Sequence, residues 1–135
     1  DDLGLLGVPR ETVRHSDPLP GTWAWVNFFH YEVTNRRPIA AMGVLYFLEG
    51  MAAKLAPIVG KQLAQVLTGE QRKAVSFVQE HGELDAEHSE EGREMIALYC
   101  TDPLDADELE RTILLGGSIK RFLLDDLVQK TLAGR

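Results

Sequence analysis

His81, Asp85 and His88 are separated by four and then three residues, so a helix places them on one face in successive turns. The same face continues at both ends through residues that are small or apolar. These are Ala74, Val78, Gly92, Met95 and Tyr99. Because the apolar face of an amphipathic helix packs against the core, we expect the three ionisable side chains to be buried.

A second candidate lies earlier in the chain, where Glu49 is the only charged residue between Arg37 and Lys54. The segment from Pro38 to Ala56 is apolar on every side, and a helix of that kind is buried in a core or in a membrane. Lys54 lies five residues after Glu49, outside the reach of a helical ion pair. Glu49 therefore needs a partner from another helix.

A membrane span is the weaker interpretation of this apolar segment. Glu49 and Lys54 interrupt it, and Pro57 arrives before the roughly 20 residues that a span requires. We expect the helix to continue past Pro57 to about Leu67, with a kink at the proline.

Metal binding would explain why these polar groups lie on buried faces. An unpartnered polar group costs about 2–7 kcal/mol to bury, and a cation offsets that cost. Two imidazoles and a carboxylate suit iron, manganese or zinc, and they resemble the ligand set of oxygen-using non-haem iron enzymes. Glutamates facing histidine-bearing helices also build di-metal sites in helical bundles. The sequence therefore predicts a metal site formed by Glu49, His81, Asp85 and His88, with Asp85 either a ligand or an acceptor that orients a ligating histidine.

Each of these residues also has a structural interpretation. His81-Gly82 could end or interrupt the helix, because glycine lowers helix propensity by about 1 kcal/mol relative to alanine. The stretch Glu80–Glu91 is rich in charge and could be a solvated surface. Glu49 could pair with a core arginine or histidine.

The remaining patterns predict an all-α chain in one domain over residues 1–135. Short helical pieces precede Ser16, the second of them at Glu11–His15. The longer predicted helices are Thr22–Thr34, Pro38–Leu67, Glu70–Tyr99 and Ala106–Leu132. Thr22 is the predicted cap of the first, and the third is expected to begin near Thr68 or Gly69. A capping box from Asp105 to Glu108 is predicted at the start of the fourth.

Composition narrows the range of partners and compartments. The net charge of −7 argues against nucleic acid, which requires a basic surface. The single cysteine, Cys100, allows no internal disulfide, and no signal peptide is recognisable. We therefore expect a cytoplasmic protein that binds neither nucleic acid nor membrane.

Two runs carry a resemblance to a known family. Gly43–Gly50 and His81–His88 resemble later core helices of the haem-oxygenase-like diiron oxidases and oxygenases, or iron-containing redox enzymes, whose fold is shared with TenA-like and PqqC-like proteins. The resemblance extends over most of the chain and implies a helical bundle. It also implies one or two non-haem iron ions, dioxygen as co-substrate and a small organic substrate. Glu49, His81 and His88 would be iron ligands, and Asp85 a ligand or an orienting partner.

The chain departs from that family in one respect. Family members have an earlier core helix with a Glu-x-x-His pair, and no such pair occurs here: Glu11 is followed by Arg14 and then His15, and His30 and Glu32 are two residues apart. The bundle thus resembles an N-terminally truncated one. Its site is either completed by another chain or incomplete. A missing wall exposes apolar surface, so we expect a homo-oligomer, in particular a two-fold dimer.

Alternative functions remain on the same fold. One is a metal-free TenA-like binding protein, and another is a thiaminase-like hydrolase, for which Cys100 is the only candidate nucleophile. A third is an inactive structural fragment.

Overall fold

The computed structural model describes the backbone of residues 2–134 and their side chains except at positions 83 and 86. The described chain is helical and contains no strand, which confirms the all-α prediction. Its elements are α1 (Asp2–Leu5), α2 (Arg10–His15), α3 (Pro20–Asn35), α4 (Pro38–Val66), a 3₁₀ segment (Gly69–Lys73), α5 (Ser76–Tyr99) and α6 (Pro103–Ala133).

Two helices begin earlier than their sequence patterns indicate. Helix α3 starts at Pro20 with Leu19 as its N-cap, so the prediction of Thr22 as the cap is wrong. Proline is favoured in the first turn because its missing N–H has no helical acceptor there. Helix α6 likewise starts at Pro103, and the Asp102 carboxylate accepts a hydrogen bond from the Asp105 N–H at 2.8 Å.

The predicted helix from Glu70 to Tyr99 is interrupted near its start. A 3₁₀ segment occupies Gly69–Lys73, and α5 begins only at Ser76. The Asp2 carboxylate fixes this start, because it accepts hydrogen bonds from the Ser76 hydroxyl at 2.7 Å and the Phe77 N–H at 3.0 Å. These hydrogen bonds, the one from Phe77 foremost, lower the pKa of Asp2. The cap comes from a residue 74 positions away, which local sequence patterns do not reveal.

The helices form two compact units. The first comprises Asp1–Asp17 and Leu48–Glu90, and it is called the hairpin unit below. The second comprises Pro18–Phe47 and Glu91–Arg135, and it is called the α3–α6 unit. The single domain expected from the sequence stays a prediction.

In the α3–α6 unit, α3 packs against α6 at very close range. A Cβ atom at Gly21 would lie only 2.6 Å from the Cα of Leu123, so no side chain fits there. The Gly21 N–H donates to the Asp126 carboxylate at 2.8 Å. Farther along, a Cβ atom at Gly116 would lie 3.4 Å from the ring of Phe28, which is buried. The absence of a side chain at Gly116 therefore allows α6 to approach the Phe28 ring closely.

Helix α4 is continuous through Pro57, but it is not buried along its whole length. Its buried residues lie near its start, from Ile39 to Val44. Leu45 is 45% and Leu55 is 43% exposed, so the prediction that the segment from Pro38 to Ala56 is buried on every side is wrong at these positions. The cause is that α4 packs through one line of small residues in the hairpin unit, as described below. By length and composition alone α4 could also cross a membrane, a test that core helices of soluble proteins also pass.

Candidate metal centre

In the hairpin unit, α4 and α5 run antiparallel and meet through small residues. A Cβ atom at Gly50 would lie 3.5 Å from the Ser89 hydroxyl, and one at Gly82 would lie 3.3 Å from the Ala56 Cβ. A third contact, 3.7 Å, joins the position of a Gly60 Cβ to Val78. In these three contacts the residue numbers rise along α4 while they fall along α5. Position 53 of α4 therefore lies opposite position 85 of α5.

Asp85 lies within this line of contact. Its side chain is buried, with 6% of the residue exposed. No described residue forms a hydrogen bond or an ion pair with its carboxylate. Since Glu49 lies one turn before Ala53 on the facing helix, both carboxyl-bearing residues occupy neighbouring levels of the hairpin. No fully buried side-chain nitrogen or oxygen among the described residues lacks a hydrogen-bond partner, so the Asp85 carboxylate oxygens keep some contact with solvent.

His81 is half-buried at the edge of the same line. Its Nδ1 atom lies 2.8 Å from the main-chain oxygen of Phe77, and its ring stacks at 3.9 Å on the Phe77 ring. A carbonyl oxygen only accepts, so Nδ1 carries the hydrogen in this contact. The neutral ring then keeps its lone pair on Nε2, which is how a second hydrogen bond prepares a histidine to bind a metal.

Glu49 and His88 differ from the prediction in their surroundings. Glu49 is half-buried and His88 is exposed, and neither side chain has a hydrogen bond or ion pair in the described part of the chain. The α5 line that meets α4 runs through Val78, Gly82 and Asp85, so the two histidines flank it. The prediction that all three stripe residues are buried is therefore wrong for His88.

Comparison with known proteins identifies a protein family that this sequence matches. The sequence matches the family described as iron-containing redox enzymes over residues 1–116. The chain belongs to this family. Its haem-oxygenase-like helical fold agrees with the described helices, which confirms the resemblance inferred from the sequence. No curated protein matches the chain, and no solved structure does. The absence of a first core helix stays a prediction.

An iron-containing redox enzyme needs ligands for iron, and two residues of this member suit that role. Asp85 is a buried residue whose carboxylate has no described partner and keeps some solvent contact, and His81 presents Nε2 after its other nitrogen is engaged. Among the described residues, however, no three His, Cys, Asp or Glu side chains are grouped closely enough to hold a metal together. The assignment of Glu49, His81, Asp85 and His88 as a ligand set stays a prediction.

Sequence reasoning missed a second group of buried charges, in the α3–α6 unit. Glu32 is 1% exposed and accepts hydrogen bonds from Arg111 at 2.5 Å and the Thr112 hydroxyl at 3.2 Å. Arg36 donates two hydrogen bonds of 2.6 Å to Glu108. The Arg36 bonds foremost, with help from Arg111, lower the pKa of Glu108 from 4.5 to about 2. The network consists of matched charges, so it stabilises the fold and leaves no ligand position open.

The spacing of Gly21, Phe28 and Glu32 in the sequence could have indicated that Glu32 is buried. Those three residues lie on one α3 face, and all are buried. Cys100, the candidate nucleophile of the thiaminase-like alternative, is free and half-buried. Its thiol has no hydrogen-bonding partner among the described residues.

Proposed function

We propose that this chain is a non-haem iron oxidase or oxygenase that uses dioxygen on a small organic substrate, with Glu49, His81, Asp85 and His88 binding one or two iron ions. The supporting observation is Asp85, a residue 6% exposed on the packed side of α5 whose carboxylate has no partner among the described residues. Membership of the iron-containing redox enzyme family makes iron the preferred cation for that carboxylate.

The residues have distinct roles in this proposal. Asp85 supplies negative charge on the packed side of α5. Glu49 supplies a second carboxylate from the facing helix. His81 supplies Nε2 in an orientation set by Phe77, and His88 supplies a nitrogen from the solvent side. When bound, the iron supplies the electron transfer and dioxygen chemistry that side chains lack.

The solvent-facing position of His88 bears on substrate access. A site whose histidines lie at the edge of a helix pair can admit a small molecule without separating the helices. Asp85, in contrast, is buried on the packed side of α5, and Glu49 is half-buried on α4. The carboxylates are therefore suited to hold the metal. The edge of the helix pair that carries the histidines is suited to face the substrate.

We further propose a homodimer in the cytoplasm with no nucleic-acid or membrane partner. Support for association comes from α3, whose outward side carries Trp23 and Val26, each 54% exposed, and Val33, 49% exposed. The described α3 contains one residue of the Asp, Glu, Lys and Arg types, Glu32, and it is buried. Surfaces depleted in charge and rich in aromatic residues are typical of interfaces.

Metal analysis tests the proposal directly. The purified chain, loaded with ferrous iron without oxygen and then desalted, should retain one or two iron ions per chain. His81→Ala and His88→Ala should each lose most of this iron. His15→Ala is the matched control, because His15 also lies on a helix but is exposed outside the hairpin line. Oxygen uptake on adding air should follow the iron content. Retention of iron by both site variants would contradict the assignment.

A further inference from the structure

Lys120 differs from every other lysine of the chain in its surroundings. The other four lysines are exposed, namely Lys54, Lys61, Lys73 and Lys130. Lys120 is half-buried on α6, and its Nζ atom lies 5.1 Å from the centroid of the Trp25 ring. The centroid of the Phe47 ring lies 6.4 Å from that of Trp25. The Lys120 amine therefore lies beside a pair of aromatic rings, while the rest of the residue still reaches solvent.

No acidic side chain balances the Lys120 amine in the described part of the chain. Lys120 forms no hydrogen bond or ion pair with a described residue. A helical ion pair requires a partner three or four residues away, and those positions of α6 hold Gly116, Gly117, Leu123 and Leu124. The residues one turn from Trp25 on α3 are uncharged as well, namely Gly21, Thr22, Phe28 and Phe29.

The charged residues farther along α6 have other partners. Asp126 accepts a hydrogen bond from the Gly21 N–H at 2.8 Å. Arg121 pairs with Asp125 at 3.7 Å on the surface. The two nearest carboxylates of α6 after Lys120 are thus engaged with groups other than its amine.

Partial burial without a counter-ion favours the neutral form of the Lys120 amine. The face of the Trp25 ring attracts an ammonium group, but the ring also displaces water from it. Loss of this hydration lowers the pKa of Lys120. A larger fraction of Lys120 than of an exposed lysine therefore has the free lone pair that attacks electrophiles.

We propose that Lys120 is a covalent binding site for small apolar aldehydes, which it holds as imines. The nitrogen lone pair attacks the carbonyl carbon, and both amine hydrogens leave with the carbonyl oxygen as water, so that a C=N bond replaces the C=O bond. No oxidant or reductant takes part. The neutral imine costs less to hold beside Trp25 and Phe47 than an ammonium group does. The proposal goes beyond the iron site, because Lys120 belongs to the α3–α6 unit and the four proposed iron ligands belong to the hairpin unit.

Reductive labelling of the full chain with trace propionaldehyde and cyanoborohydride tests the proposal, because the reductant converts each imine into a stable secondary amine. Mass spectrometry of the peptides gives the rate at each lysine separately. Near neutral pH, Lys120 should be labelled several-fold faster than Lys130, the exposed lysine of the same helix. Its rate should also rise at a lower pH than that of Lys130. In urea the two rates should become equal, because the difference depends on the folded surroundings.

A pair of variants at Leu124 tests the cause of this reactivity. Leu124 is 45% exposed and lies one turn after Lys120, so substitution there leaves the packing of α6 on α3 intact. Leu124→Glu supplies the missing counter-ion and should slow the labelling of Lys120 toward the rate of Lys130. Leu124→Gln, its uncharged match, should keep the fast rate. Circular dichroism checks that both variants retain their helix content.

Three results would overturn the proposal. The first is labelling of Lys120 and Lys130 at the same rate in the folded chain. The second is slower labelling of Lys120 with the same pH dependence as Lys130, which would show that Trp25 and Phe47 only shield the amine. The third is an equal rate for Lys120 in Leu124→Glu and Leu124→Gln, which would show that the missing counter-ion has no influence.

Discussion

The Nδ1 atom of His81 lies 2.8 Å from the main-chain oxygen of Phe77, one turn earlier in α5. This contact fixes which ring nitrogen carries the hydrogen, and the Phe77 ring 3.9 Å away restricts the rotation of the imidazole. Orientation of this kind reduces the entropy that a ligand loses when it binds a metal. The contact precedes metal binding, because it needs only the α5 backbone.

The tautomer of His81 can be observed directly. In the metal-free chain, nitrogen NMR of the neutral His81 imidazole should show Nδ1 protonated and Nε2 unprotonated. His15 provides the comparison, because its Nε2 lies 3.3 Å from a Glu11 carboxylate oxygen instead. A predominant Nε2–H form of His81 would contradict the proposed orientation.

Replacing Asp85 with asparagine should have opposite effects on the metal-free and metal-loaded chains. Without metal, the free energy of unfolding should rise by about 1 kcal/mol, because a charge with little solvent contact and no described partner is replaced by a neutral amide. With excess Mn²⁺, the rise in Tm seen in the unaltered chain should be largely lost. Asp107→Asn, at an exposed position of α6, should change neither value. A destabilised metal-free Asp85→Asn protein would indicate an undetected partner for the carboxylate.

Arg111→Met should destabilise the α3–α6 unit by about 3 kcal/mol. The substitution leaves Glu32, 1% exposed, with only the Thr112 hydroxyl as a donor, and an uncompensated buried charge is costly. Arg121→Met is the matched control, because Arg121 pairs with Asp125 on the surface and should cost less than about 1 kcal/mol. Urea unfolding curves measure both. Similar midpoints for the two variants would show that Glu32 has another partner.

The low pKa of Glu108 predicts a window of acid sensitivity. Its folded pKa of about 2 lies below the ordinary 4.5 because Arg36 and Arg111 stabilise the carboxylate. The unfolded chain therefore binds the proton first as pH falls, so this contribution is complete above about pH 4.5 and is lost as pH approaches about 2. Glu108→Gln should flatten the dependence of stability on pH in that window. Glu110→Gln, an exposed neighbour, should leave the slope unchanged.

Association should depend on the outward side of α3. Light scattering after size exclusion should give a mass near twice 15.0 kDa, and Val26→Lys should reduce it to one chain by placing a charge in an apolar interface. Gln129→Lys adds the same charge at an exposed position of α6 and should leave the mass unchanged. A stable monomer of the unaltered chain at micromolar concentration would contradict the dimer.

The sequence predicted the helical class, the main helices and a special position for Asp85, because each depends on periodicity within one segment. It did not predict the start of α5 at Ser76, since the Asp2 cap comes from a distant residue. It also placed His88 on the buried face. That error arose because the spacing of His81, Asp85 and His88 shows that they share one helix face, but not which of them contacts α4. The line of contact is set by small α4 residues such as Gly50 and Ala56.

The Glu32–Arg111 pair escaped sequence reasoning for a related physical reason. A buried carboxylate is visible as an oddity on a helix face, but its counter-ion can come from any other element. Arg111 lies 79 positions away in a charged part of α6, where an arginine is expected at the surface. Only the packing of α3 on α6 brings the two together.

The backbone contact at Gly21 has an evolutionary consequence. Because the position of a Gly21 Cβ falls 2.6 Å from the Leu123 Cα, the approach of α3 to α6 is limited there by main-chain atoms. Neighbouring side chains can then drift in size over generations without altering how closely the helices meet at this point. Glycine itself is the one residue that such drift cannot replace, so Gly21 should change last among the residues of α3 as descendants of this sequence diverge.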